Sequence, residues 1–461
     1  MKIVILGNGI AGITAARHIR QLSDYAITVV SDEADYFFSR TALMYVYMGH
    51  MRFRDTQPYE NWFWQKNRID LLRASIERVD FAEKKLFSTT GEAISYDKLL
   101  IATGSKSNRF GWPGQDLDGV HGLYHLQDLE AMERQTPGLN RAVIVGGGLI
   151  GVEMAEMFHS RGIPVTFLVR ESGFWSSVLP PEESRMVSRH LKEHHIDLRL
   201  ETELKEILPD ISGKSCAAVV TSKGEKIDCG FVGLTVGVRP NVDFLKNTEL
   251  EIHRGILVNE FLETSIPGVF AAGDCAEMRQ PLPGRKPIEA VWYTGRMMGE
   301  TAAHNLISDG DAQNPKSAIR NPQSYTPGIW FNSAKFFDIE YQVYGDIRAQ
   351  LPENQASLYW EHPGGKKSIR LNYEKASGRI LGFNLMGIRY RHEVCEKWLR
   401  EGTNIEQVLR QLGLANFDPE FCPQHEQELI QIYNQRENKT LTISQKRGLE
   451  AALKFLQWKT V

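Results

Sequence analysis

The chain has 461 residues, 42% of them apolar and 24% charged, with a formal net charge of -3. That length exceeds what one hydrophobic core organises and predicts about three domains, while the near-balanced charge gives no sign of a nucleic-acid partner. The apolar stretch RAVIVGGGLIGVEMAEMF is interrupted by glycines and charges, so no membrane span is expected.

The first predicted element is the strand KIVIL, a β-branched run suited to a buried parallel sheet. It meets a glycine turn at once, which leaves no room for a signal peptide and predicts a cytoplasmic protein. The turn is Gly7-Asn8-Gly9-Ile10-Ala11-Gly12, followed by the helical stretch ITAARHIRQL. Gly7 permits a tight turn, Gly9 lets a pyrophosphate approach the backbone, and Gly12 lets helix pack closely on strand. A second strand, AITVV, ends beside Asp32, whose carboxylate is placed to accept hydrogen bonds from a ribose diol. Strand, glycine turn, helix, strand and acid in this order predict a dinucleotide site.

The pattern then recurs. AVIVGGGLIGVEMAEMFHSRGIPVTFLVRE gives a second strand, turn and helix around Gly146, Gly148, Leu149, Ile150 and Gly151. Two such folds imply two dinucleotides, and a nicotinamide paired with a flavin is the combination that turns hydride transfer into electron transfer. From about residue 320 the pattern changes to antiparallel strands in IWFNSAKFFDIEYQVYGDI, ASLYWEHP, KKSIRLNYE and RILGFNLMG. Helices follow in RHEVCEKWLREG and NIEQVLRQLG. Residues 309–328, rich in Pro, Asn and Gly, form the expected linker, and the tail TISQKRGLEAALKFLQWKTV has helical apolar spacing.

The ordered set GxGxxG, ATG, GxGxxG, TVGVRPN and AAGD resembles the pyridine nucleotide–disulfide oxidoreductase family of FAD enzymes over residues 1 to about 310. The resemblance implies an α/β chain with two Rossmann-like domains, one inserted in the other, and a C-terminal α+β dimerisation domain. The implied FAD domain is 1–112 with 245–318, the NAD(P)H domain 113–244, and the interface domain with its helical tail 319–461. For FAD it implies Gly7, Gly9, Ile10, Ala11, Gly12, Asp32, Arg40, Thr41, Ile76, Ala102, Thr103, Gly104 and Asp274, with Glu289, Ala290 and Val291 capping the isoalloxazine. For NAD(P)H it implies the second glycine turn, Glu153 near the flavin, Val169 and Arg170 at the adenosine ribose, and Gly237 in the nicotinamide channel. Arg170 resembles the arginine of NADPH-linked relatives, whereas Glu171 and Gly151 are NADH-like. The two signals conflict, with a slight balance toward NADH.

The stretch 37-FFSRTALMYVYMG-49 decides the chemistry. Disulfide reductases of this family carry CxxxxC there, and coenzyme A-disulfide reductases and NADH oxidases a single cysteine. Matching TALMYV to the single-cysteine pattern puts Thr41 at that position, and a hydroxyl cannot act as a thiolate. All five cysteines (Cys216, Cys229, Cys275, Cys395 and Cys422) lie later, with no CxxC among them. FSRTAL instead resembles rubredoxin and ferredoxin reductases and the flavin part of nitrite reductases, with Arg40 adding positive charge at the flavin. The expected reaction passes hydride from nicotinamide to flavin N5 and electrons from the flavin directly to a small redox protein or quinone-like acceptor. Two alternatives stand beside it: an NADH oxidase or thiol/CoA-disulfide reductase using a non-standard cysteine such as Cys422, and a slow-turnover flavoprotein redox sensor. Glu153, Arg40 and Cys422 are the catalytic candidates; a homodimer is expected, and no metal.

Overall fold

Runs of buried β-branched residues become the parallel strands. In the computed structural model, which describes residues 1–308 and 321–443, Lys2–Leu6 pairs in parallel with Ala26–Ser31 on one side and Lys98–Ile101 on the other. Ile69–Arg73 and Val269–Ala271 complete a five-stranded parallel sheet. Every residue of Lys98–Ile101 after the first is buried, as expected of strands covered on both faces. The helix Ile10–Leu22 follows the first glycine turn. It packs on the helix Trp292–Ser308 at so close a range that a Cβ on Gly299 would overlap the Ala11 carbonyl.

The second glycine motif builds the same arrangement. Ala142–Val145 pairs in parallel with Val165–Leu168 and Phe231–Leu234, flanked by Asp197–Arg199 and Val120–His121. Two three-stranded antiparallel sheets, Ile76–Asp80 with Lys85–Ser88 and Ala93–Ser95, and Leu204–Pro209 with Cys216–Thr221 and Lys226–Asp228, were not anticipated from the sequence. Their strands are short and half exposed, and periodicity over so few residues carries little signal.

The chain divides into two compact units. One comprises Met1–Ser172 and His195–Gly328, the other Gly173–His194 and Ile329 onward. Residues 309–320 of the expected linker and 444–461 of the expected terminal helix lie outside the described residues.

The second unit carries the antiparallel sheet expected of the C-terminal third, in the order Phe331–Phe336, Ile339–Gly345, Ile380–Met386, Ser368–Glu374 and Gln355–Glu361. Helices His392–Glu401, Ile405–Gln411 and Glu426–Glu437 follow in sequence. Helix Pro181–Glu193, although early in sequence, joins this unit through a buried ion pair. The Arg370 guanidinium donates from Nε to Glu183 Oε1 at 2.7 Å and from one terminal nitrogen to Oε2 at 2.8 Å. Asn384 donates to the same carboxylate at 3.1 Å, and Glu183 has no exposed side-chain surface.

Removing one partner of such a pair strands the other charge in the interior. Glu183→Gln is expected to destabilise the protein by about 3 kcal/mol in a denaturant titration. Glu182→Gln, removing the more exposed carboxylate that also contacts Arg370, should cost less than about 1 kcal/mol.

Candidate functional site

The first glycine turn works because no side chain intervenes. Gly7 has φ +116°, and a Cβ there would overlap the carbonyl oxygen of Ala102 on the neighbouring strand. The turn delivers Gly9 to the N-cap of helix Ile10–Leu22, so the N–H groups of its first turn face outward. The buried side chain of Asn8 fastens the turn, donating to the Ala34 carbonyl at 2.7 Å and accepting from Ser31 Oγ at 3.0 Å.

A cavity of about 390 Å³ opens over this turn. Of the residues expected to hold FAD, Gly7, Gly9, Ile10, Ala11, Asp32, Arg40, Ile76, Ala102, Thr103, Gly104 and Asp274 line it. Gly12 lies beneath it, buried where a Cβ would overlap the Gly7 carbonyl. Asp32 is exposed and accepts a hydrogen bond from Ser75 Oγ at 3.2 Å. The donor set fits an extended dinucleotide: backbone N–H groups at a helix N-terminus suit phosphates, and an exposed carboxylate at a strand end suits a diol.

Besides Gly12, four expected residues do not line this cavity. Glu289 is held bidentately by Arg285 at 2.6 Å and borders a separate small cavity, while Ala290 and Val291 form the loop entering helix Trp292–Ser308. Thr41, the last of them, is exposed on the short turn Arg40–Ala42, its hydroxyl 3.3 Å from Ser39 Oγ.

Two groupings in the cavity wall connect residues far apart in sequence. The Tyr124 hydroxyl and Ser105 Oγ both donate to Asp274 Oδ2 at 3.0 Å. Burial pushes the Asp274 carboxyl up from the ordinary carboxylate range, and these hydrogen bonds oppose it. In the second grouping, the Arg40 guanidinium donates to both oxygens of buried Glu33, at 2.7 and 2.6 Å. Burial would raise the Glu33 carboxyl, but His125 and Arg40 overcome it and bring it down to about 2. The Leu126 N–H donates to Glu33 at 2.9 Å as well. Arg40 therefore lines the cavity with its charge paired to Glu33. Tyr124, Ser105 and His125 carry no local motif that marks them as site residues, and Glu33 adjoins the strand-end Asp32.

The second glycine turn repeats the first. Gly146 has φ +107°, and a Cβ would lie 2.7 Å from the Thr235 carbonyl oxygen. Gly148 caps helix Leu149–Ser160, whose first residues are Leu149, Ile150 and buried Gly151. On this helix Glu153 is raised to about 7, first by burial and then by neighbouring Glu156. Gly237 follows strand Phe231–Leu234 with φ +84°. Val169 is fully buried, whereas Arg170 is exposed and donates from Nε to Glu171 at 2.7 Å.

Four cysteines are buried and only Cys422 is exposed. Burial raises the Cys216 thiol to about 11 and that of Cys229 to about 12, and pushes Cys275 and Cys395 upward too. Cys275 donates its S–H to the Ile101 and Ala272 carbonyls, both at 3.4 Å.

Among similar proteins, the assimilatory nitrate reductase electron transfer subunit of Bacillus subtilis is 27% identical over 82% of this chain, which corresponds to 47% of that protein. Rhodocoxin reductase of Rhodococcus erythropolis is 30% identical over 62% of this chain and 66% of its own. A solved NAD-dependent persulfide reductase from A. fulgidus shares the fold with a TM-score of 0.79, at 22% identity over 95% of this chain and 84% of that one. No helix among the described residues is long and apolar enough to cross a membrane. The sequence profile described as pyridine nucleotide-disulphide oxidoreductase matches residues 1–303, so the chain belongs to that family of FAD-containing, NAD(P)H-dependent oxidoreductases.

Proposed function

We propose that the chain is a reductase that takes reducing equivalents from NAD(P)H and hands them from FAD to an external acceptor, a small redox protein or a quinone-like molecule, with no redox disulfide between. The observation carrying this reading is that the cavity over the first glycine turn has no cysteine in its lining, and Thr41 stands where thiol-using relatives place sulfur. Rhodocoxin reductase and the electron transfer subunit of Bacillus subtilis, both similar to this chain, are named for handing electrons on.

On this reading residues 1–112 and 245–318 hold FAD and residues 113–244 hold the nicotinamide dinucleotide. Bound together, the two cofactors would supply hydride transfer from nicotinamide to flavin and release of electrons to the acceptor. The chain's own contribution is to bind and orient them. The N-termini of helices Ile10–Leu22 and Leu149–Ser160 would receive the two pyrophosphates, and Asp32 a ribose. Asp274, held by Tyr124 and Ser105, would fix a ribityl hydroxyl. The second unit would supply a homodimer interface, and the cytoplasm would be its place of work.

A second reading, an oxidase or disulfide reductase working through sulfur, is favoured by one observation, the exposure of Cys422. The persulfide reductase of the same fold keeps that class in view. The two separate under anaerobic reductive titration of the flavin-loaded protein. Uptake of two electrons per chain, unchanged in Cys422→Ser, is the expected result. Uptake of four, reduced to two by that substitution, would establish the sulfur route instead.

Donor use follows from the pairing of Arg170 with Glu171. The glutamate occupies the guanidinium and would repel a 2′-phosphate, so NADH is the expected donor. Glu171→Gln should raise kcat/KM for NADPH several-fold relative to NADH in steady-state assays.

Glu153 gives the reduction step a pH dependence. A carboxylate beside the nicotinamide favours the positive charge that ring gains on losing hydride. Because Glu153 is neutral below about 7 and charged above it, flavin reduction followed by stopped flow should quicken as pH rises through about 7. Glu153→Gln should flatten the profile across that range.

A further inference from the structure

The second unit contains a cluster with no part in the reading above. His190 and His194 lie one helical turn apart at the end of helix Pro181–Glu193, on the same face. Facing them is Asp338, in the tight turn between strands Phe331–Phe336 and Ile339–Gly345. Asp338 Oδ1 is 2.5 Å from His190 Nε2 and 3.0 Å from His194 Nε2. One donor atom from each residue lies within 4.8 Å of the other two.

Three details distinguish this cluster from a surface ion pair. The His190 side chain is 1% exposed, yet its Nε2 makes no hydrogen bond: Asp338 Oδ1 is near but off the axis along which a ring N–H would donate. His190 Nε2 and Asp338 Oδ1, side by side and not aimed at each other, stand as two ligands sharing an ion would, while His194 Nε2 is hydrogen-bonded to the same oxygen at 3.0 Å. Next, the surroundings orient both ligands. Glu193 lies 3.4 Å from His190 Nδ1, which leaves Nε2 as the coordinating nitrogen, and Lys366 Nζ holds Asp338 Oδ2 at 2.9 Å, which leaves Oδ1 for the cluster. Finally, the His194 ring is fixed by stacking on Phe337, with centroids 4.5 Å apart and planes at 22°. Phe337 itself has φ +55°, a conformation an aromatic residue rarely adopts, and it sets the turn that presents Asp338.

We propose that His190, His194 and Asp338 form a binding site for a divalent transition-metal ion, best matched by zinc, that clips the end of the helix to the hairpin turn. Two imidazoles and a carboxylate are donors that zinc accepts readily, and solvent would complete a tetrahedron. Around an ion with bonds of about 2.0 Å the donor atoms would stand about 3.3 Å apart, so Asp338 Oδ1 need draw back from each imidazole nitrogen by less than about 1 Å. The clip would act on stability, because helix 181–193 and the hairpin are distant in sequence and the ion binds only where both are in place.

The test uses the full-length flavin-loaded protein in a Cys422→Ser background, which removes the exposed thiol as a competing ligand. After chelator treatment and dialysis, Zn2+ is added at micromolar concentration. Calorimetric titration should give one ion per chain, and excess Zn2+ should raise the thermal midpoint by about 5 °C. Both responses should disappear in His194→Ala and in Asp338→Asn. Co2+ added to the chain with all three ligands intact should give the visible absorption of a tetrahedral nitrogen–oxygen site, a readout that does not depend on a variant folding. Absence of stoichiometric Zn2+ binding, or binding that persists in both variants, would overturn the proposal.

Discussion

The arrangement of the cleft depends on a contact in which no side chain fits, the backbone of Gly7 against the carbonyl of Ala102. Any Cβ at Gly7 would push the turn from the adjacent strand, and the Ile10–Leu22 helix would lose its place on the sheet. The same exclusion operates inside the turn, where Gly12 sits against the Gly7 carbonyl. Strand pairing, helix direction and the outward-facing N–H groups all follow from that one approach. Its repetition at Gly146 against Thr235 builds a second cradle on the second parallel sheet. The two nucleotide folds are thus one steric solution used twice.

Within the cavity wall, charge is balanced in pairs. Glu33 and Arg40 neutralise each other, and Leu126 adds a backbone N–H to the carboxylate. Asp274 is treated differently: burial pushes its carboxyl upward, and hydrogen bonds from the neutral Tyr124 and Ser105 hydroxyls oppose that push. Tyr124 links the two groupings. Its hydroxyl donates to Asp274, and its ring lies 4.5 Å below the Arg40 guanidinium. A change at Tyr124 therefore reaches both carboxylates.

How much of this was readable in the chain depends on the range of the contacts. Both glycine turns, their flanking strands and the antiparallel C-terminal sheet announce themselves through spacing and periodicity, because each is a local pattern of sterics and burial. Gly7, Ala102 and Asp274 were legible through motifs tied to those elements. Tyr124 and Ser105 were not: Tyr124 stands 150 residues and Ser105 169 residues from the aspartate they hold, and nothing local to either marks a partner. Asp32 and Glu33 stand side by side at the strand end, and only the fold shows that Glu33 turns inward to Arg40. Helix 181–193 reads as part of a nucleotide fold, and its attachment to the C-terminal sheet rests on Glu183 meeting Arg370, again a long-range contact.

The distribution of sulfur carries the functional argument furthest. Cys275 adjoins Asp274 in the cavity wall, yet its side chain is fully buried and does not line the cavity. Its S–H donates to two backbone carbonyls in the interior, and full burial disfavours the thiolate that disulfide exchange requires. Cys216, Cys229 and Cys395 are likewise buried with their thiols pushed upward. A thiol mechanism in this chain would have to rest on Cys422, the one cysteine that solvent reaches, and would need that loop to supply what relatives build into the turn at Thr41. Direct passage from flavin to an outside acceptor asks for no such rearrangement. On the proposed reading it requires only that each glycine cradle hold its dinucleotide, and no cysteine takes part.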